Sequence, residues 1–284
     1  SRRSIYGNIL LKFNFIYKKF KDIGFLLFFI KAMSVLLSKI EEKIISRKLS
    51  PHKNKDYEIE VNDINFKMSF SDYKIKGAIL ERIKGVREID TTTLIKSILR
   101  RGDRVLEIGG CYGYFTMLMA WCVGEKGKVL SIEGLPRNFD ILSSNISKNN
   151  FDNISCHNFF VGDEGTKIKF PKGANHPYEG INNYKNNISL DDNFDEINCI
   201  NINNFLYEKD FFPTHIFMDI EGFEVNAIEQ LSEKFLIDYS PTLVFEDHSQ
   251  FYTKEKNLAY LRDKLHKLGY ETRKIYGNIL CFRN

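Results

Sequence analysis

The 284-residue chain has only six prolines and eighteen glycines, so it is neither a fibrous repeat nor a string of flexible linkers. Cysteine is scarce too. The five cysteines (Cys111, Cys122, Cys156, Cys199 and Cys281) are odd in number, far apart and never arranged C-x-x-C. That argues against a disulfide framework and against a cysteine-based zinc site, and it fits a reducing cytosol. A long hydrophobic run is also missing. The most apolar stretch, residues 23–37, is broken by Lys31 and falls short of the ~20 apolar residues that a membrane-spanning helix needs. No small-residue cleavage site follows it, which speaks against a signal peptide.

What is present is a globular composition, 43% hydrophobic and 27% charged, with length for one large domain or two small ones. The net charge of +4 hides a division. Residues 1–55 hold thirteen basic and three acidic residues, a net of +10, which leaves −6 on the other 229. A basic arm therefore precedes an acidic body.

In the arm, Ile23, Leu26, Leu27, Ile30, Met33, Leu37 and Ile40 recur at helical spacing. Three readings compete for this amphipathic helix. It packs on the body or in a homo-oligomer interface; it lies on an anionic membrane surface through residues 9–48; or it spans the bilayer. The second reading places the protein in the cytoplasm, peripheral to the inner face of the membrane. No nucleic-acid partner is expected. The arm lacks a recognisable binding module, and the body is acidic where a phosphate groove needs Lys and Arg.

The body divides into residues 56–100 and 101–284. Residues 57–70 alternate apolar and polar on both sides of Asn62-Asp63, the pattern of a hairpin. Residues 72–86 and 91–100 read as helices. Beyond Gly102, strands and helices alternate: strands at 104–108, 128–133, 154–161, 215–220 and 242–246, helices at 114–123, 137–149, 223–236 and 254–268. Residues 270–275 and 279–282 close the chain as a hairpin. The expected fold is α/β, Rossmann-like, with a mostly parallel sheet and an antiparallel C-terminal pair. Residues 172–204 are rich in Asn and poor in apolar anchors. They read either as a lid or binding loop or as a disordered insertion.

The first strand-to-helix turn reads Glu107-Ile108-Gly109-Gly110-Cys111-Tyr112-Gly113. The dinucleotide fingerprint G-x-G-x-x-G is not met, because Cys111 and Tyr114 hold its second and third glycine positions. Glu107 would repel a pyrophosphate and attract an ammonium. S-adenosylmethionine has no phosphate and carries both an ammonium and a sulfonium. Glu133 ends the next strand and is placed to accept from both ribose hydroxyls. Asp163, past the third strand, is placed to accept from the adenine amino group, or else is an ordinary turn residue.

These residues resemble the FkbM family of S-adenosylmethionine-dependent methyltransferases. The resemblance runs from about Gly85 to His248. It includes Glu88, the turn from Glu107 to Gly113, Ile132-Glu133-Gly134-Leu135-Pro136, and Asn145 with Asn149-Asn150. It ends with Met218-Asp219-Ile220-Glu221-Gly222 and Phe245-Glu246-Asp247-His248. The family often has Asp at position 107, Glu-Pro at 133–134 and Lys at 218, so this chain departs from it mildly. The resemblance implies the class I methyltransferase fold and a cofactor set of Glu88, Glu107, Gly109, Tyr112, Gly113, Glu133 and Asp163. It also implies O-methylation of a saccharide, glycolipid or polyketide-like hydroxyl.

Ligands of such sheets lie at the C-terminal strand ends. Asp219 and Glu221 end one strand, and Glu246, Asp247 and His248 end its neighbour. In one mechanism Asp219 or His248 removes the acceptor proton, the imidazole having an ordinary pKa near ~6.5, while Glu221 and Glu246 hold sugar hydroxyls. In the other, Asp219 and Glu246 hold Mg²⁺ or Ca²⁺, which lowers the pKa of the acceptor. Glu221 also reads as a first-turn carboxylate stabilising the next helix, and Asp247 as a solvated loop residue. Tyr184, Phe251 and Tyr252 are candidates to stack on a sugar. Competing readings are an RNA or small-molecule methyltransferase, an NAD-dependent oxidoreductase, and a non-catalytic binding module on the same fold.

Overall fold

Five short segments rich in Val, Ile, Leu and Phe pair side by side and build the centre of the protein. In the computed structural model the residues described are 56–61, 64–69, 88–172, 194–275 and 277–283. All belong to one unit, Lys53–Asp72 with Glu81–Asn284. The arm, the expected helix at 72–86 and Tyr184 lie outside the described residues.

The strands are β1 (Asp56–Val61), β2 (Ile64–Ser69), β3 (Arg104–Ile108), β4 (Lys128–Ile132), β5 (Ile154–His157), β6 (Phe160–Val161), β7 (Lys167–Pro171), β8 (Phe194–Ile200), β9 (His215–Met218), β10 (Thr242–Glu246), β11 (Glu271–Ile275) and β12 (Asn278–Phe282). The helices are α1 (Ile89–Ile98), α2 (Tyr114–Val123), α3 (Pro136–Ser147), α4 (Ile202–Glu208), α5 (Glu224–Gln230), α6 (Glu233–Asp238) and α7 (Leu258–Lys267). The main sheet has the order β11-β12-β10-β9-β3-β4-β5. β5, β4, β3, β9 and β10 run parallel, and the β11–β12 pair is antiparallel at one edge. This is the Rossmann-like class I methyltransferase arrangement. The chain leaves β3 for β4 on one side and returns to β9 on the other, so a ligand crevice opens at the C-terminal ends of β3 and β9.

Alternation along the strands sorts the faces. Leu106, Ile108, Leu130 and Ile132 join the main core with Leu206, Ile228, Phe235 and Leu265. Glu107 and Ser131, which are cross-strand partners, share the opposite face. β1 and β2 pair antiparallel with Val61 opposite Ile64, which leaves a two-residue connection at Asn62-Asp63. Ile64, Phe66 and Met68 are buried, and the Phe66 ring meets the Tyr114 ring edge-on at 6.0 Å.

Three expectations are corrected. The strand expected at 154–161 is two strands in different sheets, β5 in the main one and β6 beside β8. Between them the Asn158 side chain donates to the carbonyls of Glu133 and Gly134 at 2.8 and 3.1 Å. The helix expected at 223–236 is broken into α5 and α6. Leu231 is extended, and the Ser232 hydroxyl caps α6 by accepting from Phe235 N–H at 3.1 Å. Residues 172–204 are not wholly irregular, because β8 buries Ile197 and Cys199 and pairs with β7, and α4 begins at Ile202. The polar residues interleaved in β8 obscured its period of two. Among the described residues, no helix is long and apolar enough to cross a membrane.

Candidate active site

The end of β3 passes so close to β9 that a side chain at position 109 would force the backbone to shift. Gly109 has φ +96°, and a Cβ there would stand 2.2 Å from the Asp219 carbonyl oxygen. The turn that follows is pinned from β4. Glu133 is buried, with one carboxylate oxygen accepting from Cys111 N–H and the other from Leu135 N–H, both at 2.8 Å. Burial pushes its pKa up, against those bonds and one from Asn138. Cys111 sits at φ 48°, a left-handed backbone that a side chain rarely adopts. Tyr112 is buried, and its carbonyl accepts from the Asn145 side chain at 2.8 Å.

Glu107 is buried as well. One of its oxygens accepts from Thr116 Oγ1 at 2.5 Å and Ser131 Oγ at 2.6 Å. Desolvation nonetheless lifts its pKa to about 7, the hydroxyl bonds pulling it down and the Glu133 charge adding to the rise. Among the described residues, no cationic side chain offsets either carboxylate. This pair of carboxylate acceptors fits the ammonium and ribose hydroxyls of S-adenosylmethionine, and it does not fit a phosphate-bearing dinucleotide.

A second group of charges stands at the ends of β9 and β10. His248 is buried, and its two ring nitrogens face different partners. Nδ1 lies 2.8 Å from Glu224 Oε1, and Nε2 lies 3.4 Å from Glu221 and 3.9 Å from both Asp219 and Glu246. Burial alone would lower the imidazole pKa. The Glu224 bond and charge, then Asp219 and Glu246, override it and raise the pKa to about 9. The Asp219 side chain keeps 47% of its surface and lines a cleft that is open at its mouth. Desolvation there, followed by repulsion from Glu246, Glu88 and Glu221, lifts its pKa to about 7 despite His248. Glu246 is raised for the same first reason.

The two groups meet. One cleft, open at its mouth, is lined by Glu88, Glu107, Gly109, Asp219 and Glu246 together with the apolar Phe115 and Met119. Glu88, expected with the cofactor, begins α1 at φ 44° and adds its charge beside Asp219 and Glu246. Glu221 has φ 55°. Glu88, Cys111 and Glu221 are three of the five non-glycine residues with positive φ among those described, so backbone strain is concentrated at this site.

Other expectations land differently. Asp163 lies on an exposed turn, with its carbonyl accepting from Thr166 Oγ1 at 2.6 Å. Asp247 is paired with Lys274 at 2.7 Å. Although burial opposes it, Lys274 and Ser249 hold its pKa below the usual range. Tyr252 spends its hydroxyl on Glu224 at 3.1 Å. Phe251 remains 45% exposed, its ring centred 6.3 Å from that of His248.

Glu224 escaped the sequence reading. It is fully buried and takes Ile220 N–H, Gly222 N–H, Tyr252 O–H and His248 Nδ1. The helix-start role considered for Glu221 belongs to Glu224, in the first turn of α5. Its signal was the second glutamate in Asp219-Ile220-Glu221-Gly222-Phe223-Glu224, where a buried carboxylate stands three positions after a rim carboxylate.

The family profile described as "Methyltransferase FkbM domain" matches residues 107–272. The chain is 41% identical over 56 residues to protein-L-isoaspartate O-methyltransferase 1 of Archaeoglobus fulgidus, covering 20% of this chain and 26% of that one. It is 37% identical over 83 residues to protein-L-isoaspartate O-methyltransferase of Ignicoccus hospitalis, covering 29% and 36%. The matches thus span less than half the length of these curated relatives. Among solved structures, precorrin-6y C5,15-methyltransferase from Geobacter metallireducens GS-15 is similar at 14% identity and TM-score 0.42, over 69% of this chain and 88% of that one. A putative caffeoyl-CoA O-methyltransferase from Staphylococcus aureus is similar at 15% identity and TM-score 0.42, over 68% and 83%.

Proposed function

We propose, from the premise that this chain belongs to the FkbM family of methyltransferases, that it is an O-methyltransferase acting on a hydroxyl of a saccharide or glycolipid. The observation that carries this reading is the shared cavity, into which the glycine turn and the rim of carboxylates both open. Bound S-adenosylmethionine supplies a methyl group activated by the adjacent sulfonium. Around it, Glu107 receives the ammonium, the turn at Gly109 lets the backbone approach, and Glu133 keeps lone pairs for the ribose hydroxyls.

Asp219 is the base of this proposal. A carboxylate lifted to about 7 is half ionised near neutrality and strong enough to take a proton from a positioned hydroxyl. His248, lifted to about 9, is an imidazolium at that pH and cannot act as a base. It holds the crowded carboxylates together and presents Nε2–H to the rim. Glu221 and Glu246 accept from neighbouring sugar hydroxyls, and exposed Phe251 offers a face for a sugar ring. A carboxylate acceptor, such as the isoaspartyl group named for the curated relatives, would meet repulsion from Glu88, Asp219, Glu221 and Glu246.

A second reading is favoured by one observation. Asp219, Glu221 and His248 form one set, and Glu88, Asp219 and Glu246 form another, each with ligand atoms within 4.8 Å of one another. The all-oxygen set suits Mg²⁺ or Ca²⁺, and the acceptor hydroxyl would then be acidified by the ion.

The test is mass spectrometry of glycans and glycolipids incubated with the full chain and S-adenosylmethionine, with and without a chelator. A methyl group on a sugar hydroxyl supports the proposal. Methylation confined to peptide carboxyls overturns it, and loss of activity on chelation selects the metal reading.

A further inference from the structure

The β1–β2 hairpin precedes the matched family region, yet it is joined to the cofactor turn by a single side chain. The free edge of β2 is not left to water. Asn149 accepts from Lys67 N–H and donates to the Lys67 carbonyl, both at 2.8 Å. Four residues earlier, near the C-terminal end of α3, Asn145 accepts from Ser69 N–H at 2.7 Å and donates to the Ser69 carbonyl at 3.1 Å. Two amides one helical turn apart thus meet residues two apart on a strand, as a neighbouring strand would. The two asparagines differ in their remaining contacts, and Asn149 also donates to Met117 Sδ at 3.3 Å. The second N–H of Asn145 goes to the Tyr112 carbonyl in the glycine turn, whereas Asn149 returns its own to the Asn145 carbonyl at 2.7 Å.

We propose that Asn145 is a positioning residue for cofactor binding, fixing the glycine turn against the edge of β2. Asn145 is completely buried, and it uses both N–H groups and its oxygen in this link. The Tyr112 carbonyl lies between the left-handed Cys111 and Gly113. Glu133 holds the Cys111 N–H from β4, and Asn145 holds the next carbonyl from α3. Without the second hold, a strained turn is free to relax. The hairpin is thereby tied to the cofactor turn through Asn145.

This rests on the reading of the turn as the cofactor site, and the experiment separates the two. Binding of S-adenosylmethionine and S-adenosylhomocysteine to the full chain is measured by calorimetry, and ligand-free melting by fluorimetry, for Asn145→Ala, Asn145→Asp, Asn149→Ala and Gly109→Ala. Asn145→Asp keeps the shape and the acceptor for Ser69 but removes both donors, so it serves if Asn145→Ala does not fold. Both Asn145 variants are expected to weaken binding about tenfold or more, the cost of a buried carbonyl left unpaired. Asn149→Ala removes the matched hairpin bonds and should lower the melting temperature similarly while leaving the affinity within about twofold of wild type. Asn145→Asp binding within twofold of wild type overturns the proposal, as does an equal affinity loss in Asn149→Ala. Unchanged binding in Gly109→Ala sinks instead the assignment of the turn.

Discussion

Two groups of carboxylates meet at the C-terminal edge of the sheet, and the protein holds them in opposite ways. On the cofactor side, Glu107 and Glu133 are buried and take two donors each from nearby backbone or hydroxyl groups at 2.5–2.8 Å. On the acceptor side, Asp219 and Glu246 are nearly half exposed. Among the described residues neither accepts a hydrogen bond, and the cationic partner of each is His248 Nε2 at 3.9 Å. The first pair is positioned before any ligand arrives. The second is a set of like charges around one imidazolium, and it is completed by whatever binds. That contrast explains why cofactor chemistry is readable from this chain, whereas the proposed acceptor rests on the charge of the rim, which favours a group rich in hydroxyl donors or a cation carrying one.

The largest effect is expected at Asp219. With Asn there, the rim keeps its shape and loses the proposed base. Turnover is expected to fall by about 10³-fold or more while S-adenosylmethionine affinity stays near wild type. An equal loss of cofactor affinity would erase the division between the two sides. Next in size is Glu224→Gln, which preserves the acceptor for Ile220 and Gly222 but removes the charge behind His248. In the wild type, kcat/KM should rise with pH through about 7 as Asp219 ionises and fall near about 9 as His248 loses its proton. The variant should lose about 10- to 100-fold at neutral pH, with its alkaline limb moved to lower pH. An unmoved limb would show that His248 is not the group responsible.

How far the sequence carried this picture depends on the range of the forces involved. The alternating strands, the turn at Gly109 and the acids at the strand ends follow local rules of period and spacing, and they stand where the pattern placed them. Two breaks in regular structure did not show, because they are decided by side chains bonding backbone locally: Asn158 between β5 and β6, and Ser232 at α6. Glu224 was invisible for a different reason. A glutamate in a first helical turn reads as a surface residue, and only the tertiary fold, bringing in His248 and Tyr252 from 24 and 28 residues away, makes it a buried one. Asn145 was legible as part of a family pattern, but its partners Ser69 and Tyr112 lie 76 and 33 residues away.

The smallest effect sharpens the comparison from the cofactor side, because Glu107 combines two opposed consequences. Its pKa in the folded protein, about 7, lies above the ordinary 4.5. Between those values the folded protein keeps a proton that the unfolded chain has released. Stability therefore falls as pH rises through that window and is level above it. Gln at this position still accepts from Thr116 and Ser131 and never ionises. Ligand-free Glu107→Gln should therefore unfold at a higher temperature than wild type at pH 7.5, by a margin on the order of 3 kcal/mol, and match it near pH 4. The same change removes the charge that meets the cofactor ammonium, so affinity should drop by about tenfold. Greater stability with weaker binding is the signature of a carboxylate kept for its ligand. A variant that loses stability at both pH values would show instead that Glu107 is held for the hydroxyl bonds within the fold.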